Sequence, residues 1–470
     1  MSTQLKSEPF NYFLSGNFAP VREEHTARDL TVAGQIPEDL NGSFLRIGPN
    51  PQFIPDVFEY HWFDGDGMLH GVEFSNGQAT YRNRYVRTEG FLKEQAKGSW
   101  IWRGIKARMA GPPNAPPEGG ISKNAANTAL VEHNGRVYAL WEGGEPHEIA
   151  IPELDTIGKV DFNGRLRHAF TAHPKVDPAT GEMMTFGYAP MPPFVSYSVV
   201  DPSGEIVHTS PISIPKGVMM HDCAITEQYT VFLDMPLTFD IMRAMQGGRV
   251  LAWEPTNGTR IGVVPRMGGD RDVKWFDVAT GFAFHTANAW EDGDEVVVLA
   301  SRAETTDVIG AADNMDEGSS ESMTGVLYEW RLNMKTGAVT ERPLDRNHSD
   351  FTRINDQYAG RKSRYIYSAR FDDRHGAMFD ALLKHDYATG KTQVHDFGPG
   401  RFGGEGVFAP IQGATAEDDG YVITFVWDEN TRSSECVVID ARNFDGEPVA
   451  RIAIPHRVPF GFHAAWVGAR

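Results

Sequence analysis

Val200-Asp-Pro-Ser-Gly204-Glu-Ile-Val207 reads as the end of one strand, a tight turn and the start of the next. Apolar residues stand at both ends, and between them Asp, Pro, Ser and Gly supply the side-chain acceptors, fixed φ and left-handed conformation that a reversal needs. Six other stretches share the plan. They are Val72-Glu-Phe-Ser-Asn-Gly77-Gln-Ala-Thr80, Ile151-Pro-Glu-Leu-Asp-Thr-Ile-Gly158-Lys-Val160, Trp253-Glu-Pro-Thr-Asn-Gly258-Thr-Arg-Ile261, Trp330-Arg-Leu-Asn-Met-Lys-Thr-Gly337-Ala-Val339, His385-Asp-Tyr-Ala-Thr-Gly390-Lys-Thr-Gln-Val394 and Ile439-Asp-Ala-Arg-Asn-Phe-Asp-Gly446-Glu-Pro-Val449. Between them lie apolar runs suited to inner strands, such as 135–141, 182–187, 229–233, 295–300, 364–368 and 420–426. Helix signals are scarce. Repeated four-stranded sheets around an axis protect their edges by closing on themselves, so the expected fold is all-β, a seven-bladed β-propeller.

That ring occupies residues 36–470 as one domain, preceded by a polar, irregular N-terminal extension, residues 1–35. Unequal spacing of the turns implies a cap of loops and short helices over one face, inserted at about 104–120, 236–248 and 306–324. The first insertion is Pro/Gly-rich and the third reads as a solvated loop. In the second, Leu237, Ile241, Met242 and Met245 fall on one side of a short helix. That side reads as ordinary packing, or as a hydrophobic tunnel mouth or membrane-touching patch.

At 470 residues the chain exceeds the usual single core, so its length alone suits either two or three domains or one architecture that grows by repetition. Its net charge of -19, with no stripe of Lys and Arg, argues against a nucleic-acid partner. Cys223 and Cys436 are too few for a disulfide framework and suit a reducing compartment. The start Met1-Ser-Thr-Gln-Leu-Lys-Ser lacks the basic and apolar regions of a secretory signal, and no run has the roughly 18 apolar residues of a spanning helix. The expected location is the cytoplasm, with at most weak peripheral membrane contact.

Four histidines are set among small or apolar residues near the edges of strand-like runs: Thr171-Ala-His173-Pro, Val218-Met-Met-His221-Asp, Gly281-Phe-Ala-Phe-His285-Thr and Gly461-Phe-His463-Ala-Ala-Trp466. One such histidine alone reads as a hydrogen-bonded core residue. Four together suggest a shared metal, since a buried imidazole needs a polar partner or a metal and innermost propeller strands converge on one axis. None is paired at i, i+4, so this is no HExxH helix, and imidazole alone suits zinc, copper, nickel or iron. Ligating imidazoles usually hydrogen-bond a carboxylate or carbonyl through the second nitrogen. Glu142 in Leu140-Trp-Glu-Gly-Gly-Glu-Pro146, Asp350 in His348-Ser-Asp-Phe-Thr-Arg-Ile354 and Glu405 in Gly403-Gly-Glu-Gly-Val-Phe-Ala-Pro410 are the candidates.

In these motifs the chain resembles the carotenoid cleavage oxygenases. The resemblance runs in order from Gly42-Ser-Phe-Leu-Arg-Ile-Gly-Pro-Asn-Pro51 and His61-Trp-Phe-Asp-Gly-Asp-Gly-Met68, through Asn127-Thr128, Trp141-Glu-Gly-Gly-Glu-Pro146, His173-Pro-Lys-Val-Asp-Pro178, Met220-His-Asp222 and His285-Thr-Ala-Asn-Ala-Trp-Glu291, to Phe462-His-Ala-Ala-Trp466. It implies a seven-bladed propeller holding nonhaem Fe(II), which splits an alkene with O2. By that resemblance His173, His221, His285 and His463 match the iron ligands, and Glu142, Asp350 and Glu405 match the carboxylates behind them. Many members have Glu where this chain has Asp350, so its shorter side chain is expected to need a water or a backbone shift. Thr128 matches a residue whose methyl, in some members, shields an open coordination site.

The resemblance implies a small apolar alkene and O2 as the reaction partners, with no general acid or nucleophile. Phe58, Trp141, Phe284 and Phe462 are the expected walls of a substrate tunnel. Members that cleave hydroxylated stilbenes carry a lysine immediately before the first carboxylate, where this chain has Trp141. Lys123, nearby in sequence, reads as a loop charge. Losing the phenol-binding cation favours a carotenoid or apocarotenoid, with Arg108 or Tyr188 available for a polar end. A stilbenoid or phenylpropenoid cleaver is the alternative, and a non-catalytic binding propeller or a retinoid-type isomerase is a remoter one.

Overall fold

In the computed structural model, residues 10–54, 56–109, 122–246, 249–306, 325–372 and 378–469 are described. Their strands form seven antiparallel blades, here numbered in chain order. From the axis outward, blade 1 is Ala464–Gly468, Gly42–Pro49, Gly67–Ser75 and Gln78–Tyr85. Blade 2 is Ala129–His133, Arg136–Leu140, His147–Ile149 and Thr156–Lys159. Blade 3 starts with Lys175–Val176, blade 4 with Cys223–Ile225 and blade 5 with Phe282–Asp292. One long strand, Val339–Arg353, is the outer edge of blade 5 and then the inner edge of blade 6. Blade 7 starts with Val407–Pro410.

Apolar residues of neighbouring blades interdigitate. Phe44, Val72 and Phe74 of blade 1, for example, pack with Val407, Ile423, Cys436 and Ile452 of blade 7. The ring is closed twice. Ala464–Gly468 pairs with Gly42–Pro49 inside blade 1, while Val32–Gly34 pairs with Ala450–Ile454 at the rim of blade 7. Thr26–Ala27 likewise adds to the rim of blade 1. Part of the segment expected to be irregular is therefore strand, because two open sheet edges offer it unpaired backbone groups.

Six of the seven expected outer hairpins lie at the rims of their blades. Trp253-Glu-Pro-Thr-Asn-Gly258-Thr-Arg-Ile261 does not. Leu251–Trp253 pairs with Leu237–Phe239 in a separate two-stranded hairpin, and the turn leads back into blade 4 at Arg260–Pro265. Blade 4's rim turn instead follows Pro265 and runs through Gly268. Turn composition is the same in both places.

The insertion at 236–248 is correspondingly part strand, with a helix only at Ile241–Met245. Leu237 is buried in the strand, whereas Met242 and Met245 are 62% and 67% exposed. In the insertion at 104–120, a short helix spans Ile105–Met109; 110–120 and the side chain of Arg108 lie outside the described residues, as do 307–324. A third helix, Glu89–Lys97, was not anticipated. Thr88 caps it through Phe91 N at 3.1 Å, and Gly98 ends it at φ 74°. Among the described residues no helix is long and apolar enough to cross a membrane.

On the face away from the cap, Asp177 of blade 3 pairs with Arg266 after blade 4's third strand (2.7 Å) and Arg361 of blade 6 (2.9 Å). Burial raises its carboxyl, but Ala179 N–H and both guanidiniums more than reverse this, leaving the pKa at about 2. A depressed carboxylate stabilises the fold above its unfolded pKa, and that gain is lost as pH falls from about 4 to about 2. Asp177→Asn should therefore lose about 2 kcal/mol at neutral pH and show a flatter acid limb in thermal melts across that window.

Candidate metal centre

The innermost strands all start at the capped end of the ring, and that is where the histidines stand. His173 and His221 each precede the inner strand of blade 3 or 4 by two residues, His285 lies within that of blade 5, and His463 immediately precedes that of blade 1. One ring nitrogen from each lies within 4.8 Å of the others. Five of the six ring pairs have centroids 4.5–5.2 Å apart and interplanar angles of 60–88°.

Three carboxylates orient this cluster. Nδ1 of His221 faces Glu142 Oε2 at 2.7 Å, Nδ1 of His285 faces Asp350 Oδ1 at 2.9 Å, and Nδ1 of His463 faces Glu405 Oε1 at 3.1 Å. A carboxylate only accepts, so each Nδ1 carries the proton and each Nε2 is left as a bare donor atom aimed inward. His285 Nε2 is buried without a hydrogen-bond partner, and the Nε2 atoms of His173 and His221 approach to 2.9 Å. A cation between the four nitrogens satisfies both observations, so the residues fit a bound metal.

At two of the four imidazoles the electrostatics favour the neutral form. Burial and the neighbouring rings hold His173 well below the usual imidazole range, and burial pushes His463 down to about 4 despite Glu405. At His221 burial acts downward too, but Glu142 outweighs it and the net shift is upward. Glu142 and Glu405 lie below the usual carboxylate range: burial raises both, and His221 or His463 more than compensates.

Asp350 reaches its imidazole directly. The strand pairing slips between Asp350 and Arg353, and Phe351 adopts φ 55°, so a backbone shift supplies the reach of the missing methylene. Thr128 sits beside the cluster, its carbonyl accepting His463 N at 3.2 Å. Below the histidines a cavity of 350 Å³ is lined by inner-strand residues of blades 1 to 6 and by Glu405, two residues before the inner strand of blade 7.

Residues 18–468 match the family described as "RPE65: Retinal pigment epithelial membrane protein". The chain belongs to the RPE65/carotenoid cleavage oxygenase family. A carotenoid 9,10(9',10')-cleavage dioxygenase of Crocus sativus is 42% identical over 493 residues, covering 98% of this chain and 90% of that protein. Among solved structures, the lignostilbene dioxygenase of Pseudomonas brassicacearum superposes with TM-score 0.89 at 31% identity, covering 98% of this chain and all of that one. Cobalt-substituted apocarotenoid oxygenase of Synechocystis gives 0.85 at 28% identity, covering 96% and 97%.

In this carotenoid cleavage oxygenase the expected tunnel walls fare unequally. Phe284 meets His221 edge-on at 5.7 Å, and Phe462 is buried against Trp62 (4.5 Å) and Phe63 (5.5 Å). Trp141 is half-buried and folds over Gly143, where any Cβ would stand 2.5 Å from its ring. Phe58 is no wall residue: it lies on a surface turn, 68% exposed. Sequence reasoning missed Phe351, 4.9 Å from His285 and 4.7 Å from His463, although it directly follows Asp350.

Two polar expectations also change. Tyr188 hydrogen-bonds Glu142 and so braces the partner of His221. Lys123 is a buried cation, 2.8 Å from both Asp66 and Glu94 and over the Trp100 ring, pinning the Glu89–Lys97 helix to blade 1. Its place between Ser122 and Asn124, just after a Pro/Gly-rich run, hid that role.

Proposed function

We propose that the chain is a nonhaem iron(II) dioxygenase that cleaves one carbon–carbon double bond of a carotenoid or apocarotenoid, each alkene carbon taking one atom of O2 to give two carbonyl products. The observation that carries this reading is the four-imidazole cage with three carboxylates behind it and aromatic rings beside it. Bound iron(II) supplies the redox chemistry with O2. The four histidines hold the ion, while Glu142, Asp350 and Glu405 fix their tautomers and ring angles. Phe284, Phe351 and Phe462 offer an apolar surface that excludes water and seats an alkene beside the cage. Each carboxylate is spent on an imidazole, in keeping with a reaction that needs no general acid.

The substrate class is supported by the relatives, of which the plant carotenoid 9,10(9',10')-cleavage dioxygenases are 40–42% identical, and we infer the same bond for this chain. The similarity to a lignostilbene dioxygenase keeps a stilbenoid substrate as the second reading, against which Trp141 stands in place of a phenol-binding lysine. Anaerobically iron-loaded protein, given isotopically labelled O2 with apocarotenals, carotenes, resveratrol or isoeugenol, separates them by product mass. Two labelled carbonyl fragments from a polyene at the 9,10 position are expected. Cleavage of resveratrol or isoeugenol alone would transfer the assignment to the stilbenoid class, and an isomerised, unlabelled product would refute cleavage.

A further inference from the structure

The inner strands of blades 3, 4 and 5 belong to three separate sheets, so no shared backbone ladder fixes the spacing of His173, His221 and His285. One side chain spans all three strands. Asp222, directly after His221 and 2% exposed, accepts from Lys175 Nζ at 2.8 Å through Oδ1, and Lys175 lies two residues after His173. Its Oδ2 accepts from Thr286 N at 2.8 Å, and Thr286 directly follows His285. Thr286 Oγ1 lies 2.9 Å from the same oxygen and 2.7 Å from Cys223 O, while Cys223 N donates to Oδ1 at 2.7 Å. The carboxylate thus links the backbones after His221 and His285 to the side chain of Lys175, two residues after His173.

We propose that Asp222 is a positioning residue that sets the separation and angle of His173, His221 and His285 through the strands that carry them. The fourth imidazole has its own fastening, since Glu405 meets His463 through one oxygen and Ala464 N through the other, at 2.6 Å. The roles differ in kind. Glu142, Asp350 and Glu405 touch the rings and fix their orientation; Asp222 fixes the distance between strands. A carboxylate only 2% exposed and held from both neighbouring strands is a stiff link, because losing a donor leaves a buried polar group short of a partner.

This inference rests on reading the four histidines as a metal cage, and the test keeps the two apart. Metal-free wild-type protein, Asp222→Asn, Thr286→Val and their double variant are titrated with Co(II) alone in competition with a chelator, recording the visible ligand-field spectrum and, separately, the unfolding of the metal-free chains. Ile452→Ala, a core truncation in blade 7, serves as a control for stability alone. Asp222→Asn should weaken Co(II) binding about 10-fold or more and shift the spectrum. Thr286→Val, which keeps the N–H and removes only Oγ1, should weaken it less, and the double variant should bind no worse than Asp222→Asn. Ile452→Ala should lower the melting temperature and leave affinity and spectrum unchanged. Wild-type affinity and spectrum in Asp222→Asn, or a loss no larger than in Ile452→Ala, would overturn the proposal. Should Asp222→Asn fail to fold, an unchanged spectrum and affinity in Thr286→Val overturns it equally. Wild-type protein that takes up no Co(II) refutes the cage itself, and the strut falls with it.

Discussion

His285→Ala is expected to abolish both metal uptake and alkene cleavage while the blades remain assembled. The imidazole supplies one of four inward nitrogens, and its Nε2 has no other partner. With three neutral donors left, a ferrous ion loses a ligand that no neighbouring carboxylate can replace, because Glu142, Asp350 and Glu405 all lie behind the rings. Asp350, 5% exposed, loses its imidazole as well and keeps Phe351 N, at 2.8 Å, as a donor to the same oxygen. The checks are metal content after anaerobic loading, O2 uptake with an apocarotenal, and a far-UV spectrum showing intact sheet. A variant that still cleaves at the wild-type rate would show that the reaction does not depend on this cage.

The second large effect is expected from Glu405→Gln. Glu405 accepts two bonds, from His463 Nδ1 and from Ala464 N, and the carboxylate can do so with both oxygens. An amide has one accepting oxygen. If that oxygen faces His463, the NH2 group confronts Ala464 N–H; if it faces Ala464, the NH2 group confronts the protonated Nδ1 and forces the imidazole towards the wrong tautomer. Either way the ring is misdirected, and metal affinity should drop by about 10–100-fold. Equilibrium dialysis against buffered Fe(II) under anaerobic conditions measures it. Retained affinity would mean that Glu405 contributes only to packing.

The parts of this molecule that could be read in its sequence are those with length or chemistry to spare. Four of the six rim hairpins carry an Asn-Gly, Ser-Gly or Thr-Gly turn between two apolar runs, and the six runs read as inner strands are the second strands of their blades. The innermost strands are nearly silent. Several have only two to five residues, such as Lys175–Val176 and Cys223–Ile225, because strands crowded at the axis part company after a few pairings. Histidines and carboxylates stood out against their apolar or Gly-rich flanks, and all seven meet as the motifs implied. What composition could not reveal was exposure and strand slippage. Phe58 and Phe462 are the same residue type, one on a surface turn and one buried against Trp62 and Phe63. Asp350 looks too short until Phe351 is seen turning the backbone to positive φ.

Closure of the ring has a consequence for biogenesis. His463 belongs to the segment that returns to lie beside Gly42–Pro49, so it is translated after every other strand that bears an imidazole. A nascent chain emerging from the ribosome can stack its blades in order, yet it holds only three of the four nitrogens until that last piece swings back across the ring. The four-imidazole cluster is therefore complete only after that segment has been made, and a chain that stops short of His463 is expected to offer a metal ion three imidazoles in place of four.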